Sequence, residues 1–309
     1  MVRDIERSIC ALANAMGLGA VAYRSTRPYG ARMAICRTDK HRIQGRSNMG
    51  ILGGSVGLRL LRTIAPEPPH RGSPEADATD ATDGKLEAAF GGRLQAALAG
   101  KTVIDFGCGE GQQAVAMARA VPDCRVIGLD IQQKHLDLAR QRAMQAGLED
   151  RCSFAMTTEE RADVIVSFDA FEHFSDPLAI LEIMSRLLKP SGEVLVSFGP
   201  TWLHPYGGHL FSVFPWAHLV FTERALIRWR SRFRQDGAQS FGEVDGGLNQ
   251  IRIAEFERLV DASPLTIDWL ETVPIRGLSI LRLRLLREFG SSLVRCRLVP
   301  APPPGAPRT

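Results

Sequence analysis

The sequence lacks the cysteine spacing that marks a zinc site or a disulfide scaffold. Its six cysteines are scattered without a C-x-x-C pair, so we expect no structural zinc and a reducing compartment, the cytoplasm. Uncharged apolar runs of the roughly 18 residues needed to span a bilayer are also missing. The apolar stretch from Ile9 to Ala22 resembles the core of a secretory signal, but Asp4 and Glu6 offset the basic flank that such a signal needs.

The chain also lacks a strong net charge. It carries 38 lysines and arginines against 34 acidic residues, a formal charge of +4, and the dense basic footprint of a nucleic-acid-binding domain is missing. Residues 228–234 alternate arginine with aromatic residues, as some RNA-binding surfaces do, although a solvated basic helix face is the commoner use. We therefore expect no nucleic-acid partner. The 45% hydrophobic and 23% charged residues are typical of a globular protein with a sizeable core.

The chain divides into segments of different composition. Residues 1–64 show no strong hydrophobic period and form an N-terminal extension for which the sequence predicts no particular fold. Residues 65–84 are proline-rich and repeat Ala-Thr-Asp, which predicts a flexible linker because such a segment buries too little apolar surface to offset its ordering entropy. Residues 85–299 are regular, with an insertion at 201–250, and residues 300–309 form a loose proline-rich tail.

From residue 85 onward, short β-branched runs alternate with amphipathic segments. We predict strands at 102–106, 125–129, 152–156, 162–168, 192–198, 265–273 and 292–299, and helices at 86–98, 112–120, 132–146, 178–188, 253–260 and 277–289. Such alternation implies βαβ units. The predicted fold class is therefore α/β, a doubly wound Rossmann-like fold with a mainly parallel seven-stranded sheet.

The strongest signal is the glycine-rich sequence VIDFGCGEG at residues 103–111, between a predicted strand and a predicted helix. Glycines at such a turn let the backbone turn tightly and approach a ligand closely. Asp130 closes the next strand about twenty residues beyond the loop, where a carboxylate can accept hydrogen bonds from both hydroxyls of a ribose. A bare βα turn with incidental glycines is the alternative, but the complete strand–loop–helix–strand–acid arrangement favours a ligand site.

A nicotinamide dinucleotide would use a similar loop, so the two cofactor classes must be separated. Gln112 stands where the dinucleotide fingerprint has its third glycine. Asp105 and Glu110 would repel a diphosphate, which seeks positive potential at a helix N-terminus. A ligand that carries an ammonium group and a sulfonium has the opposite preference. S-adenosylmethionine is such a ligand.

The chain resembles the class I S-adenosylmethionine-dependent methyltransferases in four motifs: VIDFGCGEG at 103–111, GLD at 128–130, DAFEHF at 169–174 and LLKPSGEVLVSF at 187–198. Within that family it is most similar to the small-molecule group that includes ubiquinone and menaquinone pathway enzymes. The resemblance spans residues 86–200 and, in outline, 251–299. It implies S-adenosylmethionine as the cofactor and a small molecule as the methyl acceptor.

The resemblance also assigns roles to individual residues. It implies that Asp105 lies near the amino group of the cofactor, that Asp130 holds the ribose and that Ile131 packs on the adenine. A polar residue after the third strand often contacts the adenine amino group in this family; residues 157–159 compete for that role, and we choose Thr158. The expected cofactor-binding set is Asp105, Gly107, Cys108, Gly109, Gly111, Asp130, Ile131, Thr158 and Asp169.

Three histidines are the candidate catalytic residues. Methyl transfer is an in-line displacement that depends on positioning and on exclusion of water, and a general base helps when the acceptor is a hydroxyl or an acidic carbon. His173 follows the fourth strand, and His204 and His209 follow the fifth in a turn-rich segment. The alternative for His173 is a purely structural role, and the alternative for His204 and His209 is a position in a solvent-facing loop. Together with His218 their spacing matches no standard ligand set, so we expect no metal.

The insertion contains an apolar aromatic run, Leu210–Phe221, which is too short to span a bilayer. Buried packing is the first interpretation of this run. A hydrophobic lid over the substrate is the second, and peripheral membrane contact is the third.

Two other function classes stay open. A nucleotide-cofactor oxidoreductase is disfavoured by Gln112 and by the acids at the loop, and a non-catalytic or RNA-associated protein on the same fold rests on the arginine-rich stretch. The Asn-Pro-Pro-Tyr-type motif of enzymes that methylate base amino groups is absent after the fourth strand, which disfavours a DNA-base substrate. The acceptor, the methylated atom and the oligomeric state stay open.

Overall fold

The computed structural model describes residues 20–25, 32–37, 50–67, 92–244 and 247–302. In chain order its strands and helices are β1 (Ala20–Ser25), β2 (Arg32–Arg37), α1 (Gly54–Ile64), α2 (Gly92–Leu98), β3 (Thr102–Phe106), α3 (Gln112–Ala120), β4 (Arg125–Leu129), α4 (Gln133–Gln145), β5 (Cys152–Ala155), β6 (Ala162–Phe168), α5 (Pro177–Leu187), β7 (Leu188–Phe198), α6 (Ala217–Val220), α7 (Glu223–Arg230), α8 (Ile253–Asp261), β8 (Leu265–Pro274), α9 (Arg287–Gly290) and β9 (Ser291–Pro300). Single 3-10 turns lie at Phe171–His173, His209–Phe211, Phe241–Glu243, Ile275–Gly277 and Ser279–Arg282.

Seven strands form one sheet in the order β5-β4-β3-β6-β7-β9-β8, and β1 pairs with β2 in a separate antiparallel hairpin. The five strands from β5 to β7 pair in parallel. β9 runs antiparallel to both of its neighbours, so β8 points the same way as β7. The predicted doubly wound, mainly parallel seven-stranded sheet is confirmed. Every strand of the large sheet except β9 therefore ends at one edge, here called the carboxyl edge.

Alternation along the strands divides the core between the two faces of this sheet. On one face, Ile104, Ile165 and Val196 belong to a cluster that includes residues of α5 and α8. On the other face, Val103 and Val164 belong to a cluster with α2, α3 and α4. Because both faces are covered, the strands are nearly continuous apolar runs, as expected for a parallel sheet.

The insertion forms a third apolar cluster with the segment that precedes the predicted linker. Phe211 and Phe221 of the aromatic run are buried in this cluster, together with Leu61 of α1. The indole N–H of Trp229 donates to the carbonyl of Ala65 at 2.7 Å. Buried packing, the first interpretation of the aromatic run, is therefore correct. Ala65, the first residue of the predicted linker, is itself part of this core.

The arginine-rich stretch, residues 228–234, begins in α7 and packs its two aromatic rings against each other, with the centroids of Trp229 and the half-buried Phe233 5.4 Å apart. Trp229 is fully buried, and Arg230 makes a bidentate ion pair with Asp236, with N–O distances of 2.7 and 2.5 Å. Arg228 and Arg232 are exposed. The helix therefore offers a solvated basic face rather than alternating arginines and aromatics.

The largest error of the sequence prediction concerns residues 277–289, which we expect to be one helix. The structure has two 3-10 turns there, and only Arg287–Gly290 is α-helical. Arg276 and Gly277 have positive φ angles of 51° and 71°, which interrupt a right-handed helix. The apolar residues that follow are exposed, so no core face holds them in a helical register. Residues 68–84 of the predicted linker and 86–91 of the first predicted helix lie outside the described residues.

Cys108, Cys124, Cys152 and Cys296 are the cysteines whose side chains the structure describes, and all four are buried and unpaired. Burial raises the pKa of the Cys108 thiol and of the Cys296 thiol well above the usual range. Within the described ranges, no helix combines the length and the apolar character needed to cross a bilayer.

Candidate active site

The glycine loop joins β3 to α3 at the carboxyl edge. The backbone N–H groups of Gly107 and Cys108 donate to the carbonyl of Leu129 at 2.9 and 3.0 Å, so the loop is fastened to the end of β4. Gly107, Gly109 and Gly111 have φ angles of 84°, 52° and 78°, a region that disfavours residues with a Cβ. A Cβ at Gly111 would lie 2.7 Å from that of Ala139, whereas a Cβ at Gly109 would meet no atom within 4 Å. The loop is thus closely packed at Gly111 and open at Gly109.

The carboxylate of Asp130 connects the end of β4 to this loop. It accepts hydrogen bonds from the backbone N–H groups of Gly109 at 3.1 Å and Gln132 at 2.7 Å. The Nδ1 atom of His135 lies 3.5 Å from one of its oxygens. His135 was not predicted as a site residue, although a histidine in the first turn of the next helix is near enough along the chain to be a candidate.

Asp105 is a buried acid without a partner at the base of the loop. Neither of its carboxylate oxygens makes a hydrogen bond of ordinary geometry within the described residues. Burial, together with the charge of Asp130, raises the pKa of Asp105 to about 7, although the backbone amide of Ala114 opposes the shift. A buried carboxylate that lacks donors is costly. This position therefore suits a cationic group from a ligand.

The remaining residues of the expected cofactor set lie around the same edge. Ile131 is nearly buried beside Asp130. Cys108 is buried, with its Sγ near Gly128. Thr158 is half-buried after β5, and its hydroxyl accepts from the backbone N–H of Glu160 at 3.1 Å. Asp169 is exposed at the end of β6, and its φ of 50° is unusual for a residue other than glycine.

Glu172 is a second buried acid, which was not among the predicted site residues. One oxygen lies 3.5 Å from the backbone nitrogen of Gly199, and the other has no hydrogen-bond partner in the described chain. Burial raises the pKa of Glu172 to about 8, and Asp169 adds to the shift. The sequence does contain a signal for this role of Glu172, because it is an acidic residue within the apolar motif DAFEHF, directly after a strand.

Two of the three candidate histidines, His173 and His209, lie next to each other. The ring of His173 lies 5.6 Å from that of His209, centroid to centroid. His173 Nδ1 lies 2.9 Å from the carbonyl oxygen of Gly247, and since that oxygen only accepts, Nδ1 carries the proton. His209 has a φ of 51°. Strained backbone of this kind clusters at functional sites.

His204 lies in a different environment. Its Nδ1 accepts a hydrogen bond from the backbone N–H of Tyr206 at 3.0 Å, and burial lowers its pKa. His218 bridges the hydroxyl of Ser212 at 2.9 Å and the carbonyl of Trp202 at 2.7 Å, and burial lowers its pKa to about 4. His218 is therefore a satisfied structural histidine. Among the described residues, no group of three potential metal ligands comes together.

The end of the insertion holds the turn that carries Glu172 and His173. The side-chain amide of Asn249 donates to the carbonyls of Phe171 and Phe174, both at 2.8 Å. The backbone N–H of Asn249 donates to the carbonyl of Glu172 at 2.9 Å. Asn249 was not predicted as a site residue, because one asparagine in a loop carries no local signal of a contact about 75 residues away.

Comparison with known proteins places the match on the central part of the chain. A family model described as a methyltransferase domain matches residues 98–201. The ubiquinone biosynthesis O-methyltransferase of Stutzerimonas stutzeri is 37% identical over 106 residues, which cover 32% of this chain and 45% of that protein. The Salmonella paratyphi A enzyme of the same name is 37% identical over 117 residues, 34% and 47% of the two chains. The chain thus spans about half the length of these curated relatives.

Two solved structures illustrate the structural similarity. The mitomycin 7-O-methyltransferase structure is 18% identical with a TM-score of 0.47, covering 72% of this chain and 54% of that one. The magnesium protoporphyrin IX methyltransferase of Synechocystis is 16% identical with a TM-score of 0.42, covering 80% and 92%. The glycine loop and Asp130 lie within the segment that the family model matches. Residues 98–201 are thus similar to a methyltransferase domain.

Proposed function

We propose that this protein transfers a methyl group from S-adenosylmethionine to a small-molecule acceptor. The observation that carries the proposal is Asp105, a buried carboxylate at the base of the glycine loop whose oxygens make no hydrogen bond of ordinary geometry within the described part of the chain. The ammonium group of the methionyl part would supply the missing partner. It would also return the pKa of Asp105 toward the ordinary range of an aspartate, because a nearby positive charge favours the ionised form.

The other residues around the loop fit the rest of this cofactor. Asp130 retains lone pairs for ribose hydroxyls in addition to its two backbone donors, since a carboxylate accepts up to about four hydrogen bonds. Gly107, Gly109 and Gly111 would hold the methionyl backbone, with Cys108 packed beneath. Ile131 and Thr158 would contact the adenine, and Asp169 would face the reacting end. When bound, the cofactor supplies an electrophilic methyl group on its sulfonium.

We assign the role of general base to His173. The proton on Nδ1 is fixed by the carbonyl of Gly247, so Nε2 keeps a lone pair that can take a proton from the acceptor. An imidazole is the side chain best suited to this step near neutral pH. His209, whose ring packs against that of His173, would orient the acceptor. The relatives named O-methyltransferases favour a hydroxyl acceptor over nitrogen or carbon.

Exclusion of water is the remaining requirement, because methyl transfer competes with hydrolysis in an open site. The insertion leaves the carboxyl end of β7 and has its own apolar core. Its last residues return to the turn that carries His173 through Asn249. We assign to the insertion the wall of the acceptor pocket. The buried thiols also support a cytoplasmic location for the protein, which we include in the proposal.

Calorimetric titration of the full chain with S-adenosylhomocysteine and, separately, with NAD tests the cofactor. We expect binding of the first and none of the second. NAD binding without S-adenosylhomocysteine binding would refute the proposal in favour of an oxidoreductase. If neither ligand binds the folded chain, the proposal is also refuted, and a non-catalytic role of the same fold becomes the better explanation.

A further inference from the structure

The connection between β8 and β9 exposes an unusual amount of apolar surface. We call residues 276–289 the apolar–arginine segment. Leu285 is 87% exposed and Ile280 61% exposed. The other large apolar side chains that the segment exposes are Leu278, Leu283, Leu286 and Phe289. Several exposed large apolar side chains within one short segment mark an interaction site.

The exposed charges within this segment are all positive. Arg276, Arg282 and Arg284 are exposed, and none of them forms an ion pair with an acid of the described chain. No acidic residue lies between Glu271 and Glu288 in the sequence. The carboxylate of Glu288 is engaged by the backbone N–H groups of Ile253 and Ala254, at 3.0 and 2.8 Å. The exposed surface of the segment therefore combines leucines with uncompensated arginines.

The segment lies on the same side of the sheet as the candidate active site. β8 is parallel to β7, so a chain that leaves β8 does so at the carboxyl edge. The hydroxyl of Thr201, at the start of the insertion, lies 3.5 Å from the carbonyl of Glu288. The described residues include thirteen exposed large apolar side chains. All of them except Met144 belong to this segment, to the insertion or to residues 51–64, and residues 51–64 pack on the insertion.

We propose that the apolar–arginine segment docks the protein onto an anionic membrane surface. Its leucines and isoleucine would enter the boundary between headgroups and acyl chains, while the arginines pair with anionic headgroups, as in interfacial amphipathic segments. The same three arginines argue against a second copy of the chain as the occupant, since a two-fold contact sets identical surfaces, and thus identical charges, against each other. Docking in this orientation turns the carboxyl edge toward the membrane.

Vesicle co-sedimentation of the full chain tests this proposal. We expect binding to an equimolar mixture of phosphatidylcholine and phosphatidylglycerol, weaker binding at high salt, and little binding to phosphatidylcholine alone. The double variant Ile280→Ser, Leu285→Ser should reduce partitioning by about tenfold or more, given the contribution of a buried aliphatic side chain. The variant Arg282→Gln, Arg284→Gln should reduce it by roughly fivefold for each arginine.

Matched controls lie away from this surface. Met144→Ser removes an exposed apolar side chain from α4, and Arg119→Gln with Arg186→Gln removes two exposed arginines from the ends of α3 and α5. These variants should bind vesicles like the unmodified protein. Absence of vesicle binding, or equal losses in segment and control variants, would overturn the proposal. The proposal would also be overturned if the protein did not bind vesicles and instead formed a dimer, detected by light scattering, that the double serine variant abolished.

Binding of S-adenosylhomocysteine, measured in the same variants, separates this proposal from the proposed function. The segment variants should keep the cofactor affinity of the unmodified protein, because none of the changed residues belongs to the glycine loop or contacts Asp130. Vesicle binding without cofactor binding would refute only the methyltransferase proposal. Cofactor binding without vesicle binding would refute only the docking proposal.

Discussion

The carboxylate of Asp130 accepts a hydrogen bond from the backbone N–H of Gly109 at 3.1 Å, so one side chain links the end of β4 to the open position of the glycine loop. The consequence is that Asp130 belongs to the loop's architecture as well as to the ribose site proposed here. A substitution at this position should therefore affect stability and cofactor binding together.

We predict that Asp130→Ala weakens S-adenosylhomocysteine binding by about tenfold or more and lowers the free energy of unfolding by about 1–3 kcal/mol, since a hydrogen bond to a charged group contributes about 1.5–3 kcal/mol. Calorimetric titration and urea denaturation measure the two effects. Asp137→Ala removes an exposed aspartate from α4 and should change neither by a comparable amount. Unchanged affinity in folded Asp130→Ala would remove Asp130 from the ribose site.

Asp105→Asn should stabilise the protein without ligand while abolishing cofactor binding. The pKa of Asp105 is raised from 3.8 to about 7 in the folded chain, so folding favours the protonated acid. The destabilisation of the folded protein by ionised Asp105 therefore grows as the pH rises from about 4 to about 7, and it is fully present above pH 7. One pKa unit corresponds to about 1.4 kcal/mol.

We accordingly expect the stability gap between Asp105→Asn and the unmodified protein to widen from pH 5 to pH 8 in urea denaturation. An equal difference in the free energy of unfolding between the two proteins at both pH values would contradict a raised pKa of Asp105. The chemically similar change Asp163→Asn is a control with the opposite sign. Desolvation raises the pKa of Asp163, but the hydrogen bonds from Lys189 and from the backbone N–H of Thr102, with the charges of Lys189 and Lys101, outweigh it and lower the pKa. Asp163→Asn should destabilise the protein.

His173→Ala should reduce turnover by roughly 10²-fold or more, the usual scale for loss of a general base, with S-adenosylhomocysteine affinity nearly unchanged. His209→Ala should have a smaller effect, expressed mainly in KM for the acceptor. His204→Ala is the matched control, because His204 bonds to Tyr206 in a separate environment. The assignment fails if His204→Ala loses turnover to this extent while His173→Ala retains it. Methyl-donor turnover with a metabolite extract provides the assay.

Leu61→Ala should lower the free energy of unfolding by about 2–5 kcal/mol, as for other buried leucines, and leave cofactor affinity unchanged. Leu61 is fully buried against the insertion, whereas its neighbour Leu60 is 40% exposed, so Leu60→Ala should cost far less. Denaturant unfolding of the two variants makes the comparison. Equal losses would mean that α1 does not stabilise the insertion through Leu61.

The parts of this structure that follow from the sequence are those governed by neighbouring residues. The glycine loop and Asp130 were predictable because a turn between strand and helix and an acid at the next strand's end are local patterns. The pairing of His173 with Gly247 was not, since it joins positions 74 residues apart through an insertion without periodicity. The helix expected at 277–289 failed for a related reason. Its apolar spacing was helical, but no tertiary surface received those side chains.

The position of β9 has a consequence for biosynthesis. β9 is the last strand of the described residues, yet it lies between β7 and β8 and brings Val294, Cys296 and Leu298 into the main core. Before it is made, the edge of β7 is open and β8 has no neighbour in the sheet. An open edge in a partly synthesised chain invites pairing with other chains. The sheet can therefore close only after translation has passed residue 300, and until then the edge of β7 is exposed to such pairing.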